Sequence, residues 1–296
     1  MAQRPADQMH ATRANANGAS IAALLWPARL HHVAIGSPDP AALARFYADH
    51  LDFAATRDGD AFTLRGAERR LIIAPGAARH LLYAGFDLGG SARVASYRAA
   101  LRRDGVEAED FTSPFFAPGA FCVADPDGNR MGFGAGLPDA AMPGRPARLQ
   151  HVVVASTDAT RIAGFFAEQL GFRPTDWVRD PAGAIGAAFL RTDEEHHSFA
   201  VFRAPAARLD HFSFEVGDWN AIRDWSDYFS RAEVPIFWGP GRHGPGNNLF
   251  IMANDPDGNA MEFSAEITLH PFPMPPGEWP HAPRTLNLWG AAIMRS

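Results

Sequence analysis

Two histidines and a glutamate, His151, His211 and Glu262, each occupy a strand-like position where they share a face with small residues. Side chains alternate between the two faces of a strand. In His211-Phe212-Ser213-Phe214-Glu215 the histidine and serine therefore take one face and both phenylalanines the other. In Ala260-Met261-Glu262-Phe263-Ser264 the glutamate goes with Ala260 and Ser264, and in His151-Val152-Val153-Val154-Ala155 the histidine goes with Val153 and Ala155. Two imidazoles and one carboxylate on one side of a divalent ion leave its other positions open. That donor set suits non-haem Fe(II), which must take up both a substrate and O2; Mn(II) is the alternative. Any one of these residues alone reads better as a satisfied core histidine or a paired acid, but three with matching orientation read as a metal site.

The elements that must position them emerge from an internal repeat. Leu30-His31-His32-Val33 recurs 119 positions later as Leu149-Gln150-His151-Val152, and Phe46-Tyr47 and Phe53 recur as Phe165-Phe166 and Phe172. Leu81–Asp87 lines up with Leu209–Glu215, and Asp125-Pro126-Asp127-Gly128-Asn129 with Asp255-Pro256-Asp257-Gly258-Asn259. The chain thus reads as an N-terminal extension (1–27), two related domains (28–138 and 148–268), a Pro/Gly-containing linker (139–147) and a tail (269–296). Each domain looks doubled again: a strand-like opening, an Asp- or Ser-preceded helical run that those residues can cap, then extended pieces. The expected fold is α+β, with four βαβββ modules paired into curved mixed sheets around a cavity. The Asp-Pro-Asp-Gly-Asn segments supply tight-turn chemistry before the last strand of each domain.

The first domain is expected to be structural. His32 aligns with His151, but Tyr83 stands where His211 does and Gly132 where Glu262 does. His31 and His32 then read as packing or interface residues.

Composition narrows the function classes. With 296 residues, 47% hydrophobic and 20% charged, the chain has ample core-forming capacity. A net charge of -6 argues against nucleic acid or an acidic membrane as partner. There is no lysine, which excludes Schiff-base chemistry, and the lone Cys122 excludes internal disulfides and a cysteine-rich metal site. Cys122 itself reads as a packing residue. No apolar run approaches the roughly 18 residues that span a bilayer, and residues 1–27 lack the pattern of a signal peptide, so a cytoplasmic location is expected.

The four βαβββ units with ligands in the second half resemble the type I extradiol ring-cleavage dioxygenases of the vicinal oxygen chelate superfamily, over about residues 28–268. The ligand spacings of 60 and 51 residues fit that family, and Glu278-Trp279-Pro280 through Leu286-Asn287-Leu288-Trp289-Gly290 resembles its C-terminal segment. The resemblance implies an Fe(II) enzyme that inserts both atoms of O2 into an aromatic diol, and a homo-oligomer. By the same resemblance His197, 14 residues before His211, would assist proton transfer from the diol and later in the reaction, and His243 would hydrogen-bond a substrate oxygen. His196 reads as a solvent-facing neighbour. Val153 and Phe189 align with substrate-contacting positions; Trp177 and Asn247 are placed near the substrate, and Arg284 could meet a substrate carboxylate. The family usually has a tyrosine donor nine residues after the loop histidine. Here that position is Met252, which can pack but cannot donate a hydrogen bond. Two other readings compete: a glyoxalase-like isomerase or lyase, disfavoured because Ser198–Phe202 carries no carboxylate, and a metal-free small-molecule binding module.

Overall fold

Apolar alternation, helix caps and turn residues act together to produce four consecutive βαβββ units. The computed structural model describes residues 20–138, 141–270 and 274–294. Expectations for residues 1–19, 139–140, 271–273 and 295–296 lie outside the described residues. A short helix, α1 (Ile21–Leu25), precedes the first unit: β1 (Arg29–Ser37), α2 (Pro40–Leu51), β2 (Ala54–Asp58), β3 (Ala61–Gly66) and β4 (Arg69–Pro75). The second is β5 (Leu81–Asp87), α3 (Ser91–Arg103), β6 (Glu109–Asp110), β7 (Phe121–Ala124) and β8 (Arg130–Gly134). The third is β9 (Arg148–Ser156), α4 (Ala159–Gly164) continuing into a π-helical turn, β10 (Arg173–Arg179), β11 (Ile185–Arg191) and β12 (Phe199–Arg203). The fourth is β13 (Arg208–Glu215), α5 (Trp219–Arg231), β14 (Ile236–Arg242), β15 (Leu249–Asn254) and β16 (Ala260–Ala265), followed by β17 (Gly277–Pro280) and α6 (Pro283–Leu286).

Local chemistry sets the ends of these elements. Asp39, Asp158 and Asp218 each accept a backbone N–H three residues on, at 3.0 Å, and so cap α2, α4 and α5. In both Asp-Pro-Asp-Gly-Asn turns the first aspartate accepts from two backbone N–H groups and from the asparagine side chain. Gly128 and Gly258 sit at φ 87° and 77°, a region open to glycine at no steric cost.

Strands pair into two mixed sheets. One runs β2-β3-β4-β1-β5-β8-β7-β6, the other β14-β15-β16-β13-β9-β12-β11-β10-β17. At the middle of each, the first strands of two successive modules pair antiparallel: β1 with β5, and β9 with β13. The helices and one face of both sheets share a single core. Val152, Val154, Phe212, Phe214, Met261 and Phe263 all belong to it and are at most 2% exposed. The opposite face of the second sheet carries a separate cluster that includes Val153, Phe189, Phe202, Trp238 and Met252. Cys122 packs buried on β7. Among the described residues no helix is long and apolar enough to cross a membrane.

Two helix tyrosines tie the halves of the chain together. Tyr47 on α2 donates to Asp255 Oδ2 at 2.8 Å, and Tyr97 on α3 donates to the Leu170 carbonyl at 2.7 Å, both fully buried. Burial, and for Tyr47 the Asp255 carboxylate, raise both phenols well above their ordinary pKa, so they stay protonated donors. Tyr47→Phe removes one buried hydrogen bond while Asp255 keeps its Asn259 partner. It should cost about 1 kcal/mol, read as a lower midpoint in urea denaturation.

Candidate metal centre and its cavity

The β9–β13 pairing fixes where the three metal-ligand candidates go. Val153 lies opposite His211 and His151 opposite Ser213, while β16 pairs parallel with β13 and sets Glu262 opposite Ser213. His151, His211 and Glu262 thus share one face, and their ligand atoms all lie within 4.8 Å of one another. His211 Nε2 is 3.2 Å and His151 Nε2 is 3.8 Å from Glu262 Oε2. All three side chains are buried.

Neighbouring groups dictate which ring nitrogen is free. His211 Nδ1 donates to Asp210 Oδ1 at 2.7 Å. The Gln150 amide nitrogen donates to the His197 carbonyl at 2.6 Å and to Glu195 Oε2 at 3.1 Å, which leaves its oxygen to accept from His151 Nδ1. Glu195 is itself paired with Arg148. Both histidines therefore turn an Nε2 lone pair toward Glu262, as a metal-binding imidazole requires. Asn248 Nδ2 donates to Glu262 Oε1 at 3.1 Å and leaves Oε2 facing the imidazoles.

The electrostatics favour a positive charge at this point. Burial pushes the Glu262 carboxyl up, but the imidazoles of His151, His211 and His243 outweigh it and hold the group well below the usual carboxylate range. Burial lowers His211, yet the carboxylates of Asp210 and Glu262 win and raise it. Burial leaves His151 below its ordinary value despite Glu262. An ionised carboxylate facing imidazole lone pairs, with a second carboxylate behind one of them, fits a divalent cation.

The triad forms the base of a cavity whose walls include Val153, Phe189, Phe202, Trp238, Met252 and Leu286, with His197 and His243 on its lining. The His197 ring lies 4.3 Å from that of His151 and 5.0 Å from that of Phe189. Burial, then the nearby His151 and His196, keep His197 well below its ordinary pKa, so it stands as a neutral base. His243 stacks on Phe250 at 3.9 Å, donates from Nδ1 to the Leu286 carbonyl at 2.5 Å, and brings Nε2 to 3.9 Å from Glu262 Oε2.

Four positions differ from expectation. His196 does not face solvent: it is 1% exposed and hydrogen-bonded on both ring nitrogens. Asn247 is exposed, at φ 50° in the turn, so the polar contact falls to its neighbour Asn248. Trp177 packs in the large core, because strand alternation turns its neighbour Asp176, not Trp177, toward His196. Arg284 is exposed and does not line the cavity. Residues that sequence reasoning missed include Gln150, Asp210, Asn248, Phe202, Trp238, Thr285 and Leu286. Gln150 and Asp210 carried a signal, since each directly precedes a ligand histidine.

In the N-terminal half aromatic rings fill the corresponding space. His32 is fully buried between Phe115 and Phe116 and hydrogen-bonds Ser113 Oγ at 2.8 Å through Nε2, the nitrogen that faces Glu262 in His151. A side chain at Gly132, the position of Glu262, would begin 2.9 Å from the Phe111 ring.

Comparison with known proteins agrees with this architecture. The family model of the Glyoxalase/Bleomycin resistance protein/Dioxygenase superfamily matches residues 29–133 and again 148–263. A 3-methylcatechol 2,3-dioxygenase of Pseudomonas putida is 24% identical over 74% of this chain and 83% of its own length. Metapyrocatechase 2 of Cupriavidus necator is 29% identical over 50% of this chain, and that match spans only 46% of the relative. The crystal structure of homoprotocatechuate 2,3-dioxygenase from Arthrobacter globiformis aligns with a TM-score of 0.77 at 23% identity, covering 90% of this chain and 88% of that one, a likeness of fold. With both repeats matched over more than half of its length, the chain belongs to the Glyoxalase/Bleomycin resistance protein/Dioxygenase superfamily.

Proposed function

We propose that the protein is an extradiol ring-cleavage dioxygenase that opens an aromatic diol beside its two hydroxyls and places both atoms of O2 in the product. The observation that carries this reading is the buried His151, His211 and Glu262 cluster opening into a cavity flanked by two further histidines. The named activities of the ring-cleaving relatives support it. Those three residues would hold Fe(II), with Mn(II) as the alternative. The ion, when bound, supplies Lewis acidity toward the diol and a path for electrons to O2.

The chain's own residues divide the remaining work. His197, neutral and buried, accepts a proton from a diol hydroxyl and returns it later in the cycle. His243 turns Nε2 inward as an acceptor for a second hydroxyl, held there by the Leu286 carbonyl and the Phe250 ring. Val153, Phe189, Phe202, Trp238 and Leu286 exclude water from the ring and grip it by apolar contact. Among the described residues no arginine lines the cavity, which favours an uncharged ring substituent over a carboxylate. Met252 fills its place without offering a donor. The glyoxalase-like alternative finds no support in β12, which runs Phe199-Ala200-Val201-Phe202-Arg203 without a carboxylate.

Anaerobic titration of the Fe(II) protein with a panel of catechols, hydroquinones and aminophenols, followed by 18O2, tests the reading. A yellow ring-opened product carrying two labelled oxygens is expected from an apolar-substituted catechol. No product from any diol, or full activity in His211→Ala, would overturn it. His197→Phe should keep its metal and lose about 10²–10⁴-fold in kcat.

Metal retention provides a separate check. Gln150→Leu removes the acceptor that orients His151 and should weaken metal binding about 10- to 100-fold. Competition with a chelator measures this, and unchanged affinity would show that the Gln150 contact does not orient the ligand.

A further inference from the structure

Behind His197 lies a chain of hydrogen bonds, buried at its two imidazoles, that leads away from the metal-ligand candidates. Trp279, on β17, donates from its indole Nε1 to Asp176 Oδ2 at 2.9 Å. The same oxygen lies 2.8 Å from His196 Nε2. His196 Nδ1 is 3.0 Å from His197 Nδ1. Asp176 is 8%, His196 1% and His197 3% exposed, so the contacts of the two imidazoles are shielded from water.

Only one proton arrangement satisfies all three contacts with neutral rings. An indole N–H can only donate and a carboxylate can only accept, so His196 Nε2 must carry a proton to bond Asp176. A neutral imidazole has one N–H, which leaves His196 Nδ1 as an acceptor. The short Nδ1–Nδ1 contact needs one proton, and it must then belong to His197. His197 Nε2 is left as a lone pair on the nitrogen that His196 does not occupy, in a ring that lines the cavity.

We propose that Asp176 and His196, anchored by Trp279, are a positioning pair that locks His197 in the Nδ1–H tautomer and turns its basic Nε2 toward the substrate. His196 touches no lining surface of the cavity itself; it acts through its neighbour. The tail is shaped for this contact. Gly277 pairs with Asp176 in the β10–β17 ladder, and a Cβ on Gly277 would come within 2.3 Å of Asp176 Oδ1. Glycine is what lets β17 lie close enough for Trp279 to reach the carboxylate. An orienting carboxylate that selects an imidazole tautomer is the established logic of hydrolase triads; here a second imidazole is interposed.

The inference rests on the ring-cleavage reading for its kinetic consequences only. The tautomer itself is measured directly by long-range 15N–1H correlation NMR of the full chain labelled in its histidine rings, both metal-free and loaded with Zn(II) as a diamagnetic probe. His197→Gln assigns the signal. The expected result is His197 protonated on Nδ1 in the wild type and in His196→Asn, whose amide oxygen can still accept. In His196→Phe and Asp176→Leu the proton should shift to Nε2 or distribute over both nitrogens. With a cleaved diol, kcat should fall by about tenfold or more in His196→Phe and Asp176→Leu with KM unchanged, and recover in His196→Asn. Nε2 protonation of His197 in the wild type would overturn the proposal even if every variant misfolds. An unaltered tautomer in His196→Phe would overturn it equally. Failure of the wild type to cleave any diol would remove the ring-cleavage reading and leave the tautomer result to decide this one.

Discussion

The antiparallel pairing of β9 with β13 is the constraint on which the site depends. It joins two modules, puts His211 opposite Val153 and His151 opposite Ser213, and lets β16 add Glu262 beside them. A slip of one residue would reverse every side chain. Val152, Phe212 and Met261 would enter the cavity, and the imidazoles and carboxylate would enter the core. Hydrophobic packing prevents that. Val152, Val154, Phe212, Phe214, Met261 and Phe263 are essentially fully buried on the other face, each worth about 1.5–3 kcal/mol of transfer free energy. Packing on one face thus decides that the polar groups point to the other.

Aiming buried polar groups inward is costly unless each has a partner. The C-terminal half meets this with Asp210, Gln150 and Asn248, each bonded to one ligand residue. The N-terminal half keeps the same strands and loses the need. His32 leans on Ser113, Phe115 and Phe116, and Phe111 occupies the space a carboxylate would use. That half contributes instead through Tyr47 and Tyr97, whose hydroxyls bond to the half that carries the candidate metal centre. One fold thus serves once as a site and once as a brace, and the difference lies in which face residues remain polar.

The repeat, the alternation along β9, β13 and β16, and the turn at Asp255 are local patterns, which is why the modules and the triad are legible in the sequence alone. The His197 and His243 assignments came from family resemblance. What stayed hidden depends on contacts distant in sequence or on strand parity. Asp176 reaches His196 across 20 residues and Trp279 across 103. Parity also explains Trp177: one position along β10 separates the wall of the site from the core. Asn247 and Asn248 were indistinguishable by type. The left-handed φ of Asn247 turns it to solvent and leaves Asn248 inside to hold Glu262. His196 looked like a spare neighbour because nothing local marks a buried partner for its far nitrogen.

The C-terminal tail gives the site a second, separable tier. It starts at β17 on one edge of the nine-stranded sheet and ends against β14 at the other, where Leu288 N–H donates to the Arg242 carbonyl at 2.8 Å and Trp238 Nε1 to the Ala291 carbonyl at 2.9 Å. On the way it supplies Trp279 to Asp176 and the Leu286 carbonyl to His243. The tail thus touches His243 directly and connects to His197 through two residues, Asp176 and His196. The three metal-ligand candidates are held by central strands and the residues beside them. Changes in the tail bear on the surroundings of His197 and His243 while leaving the triad geometry in place, whereas changes in β9 or β13 disturb both tiers. A fold that keeps its candidate ligands on central strands and its other cavity histidines against an edge-to-edge strap can vary one set without disturbing the other.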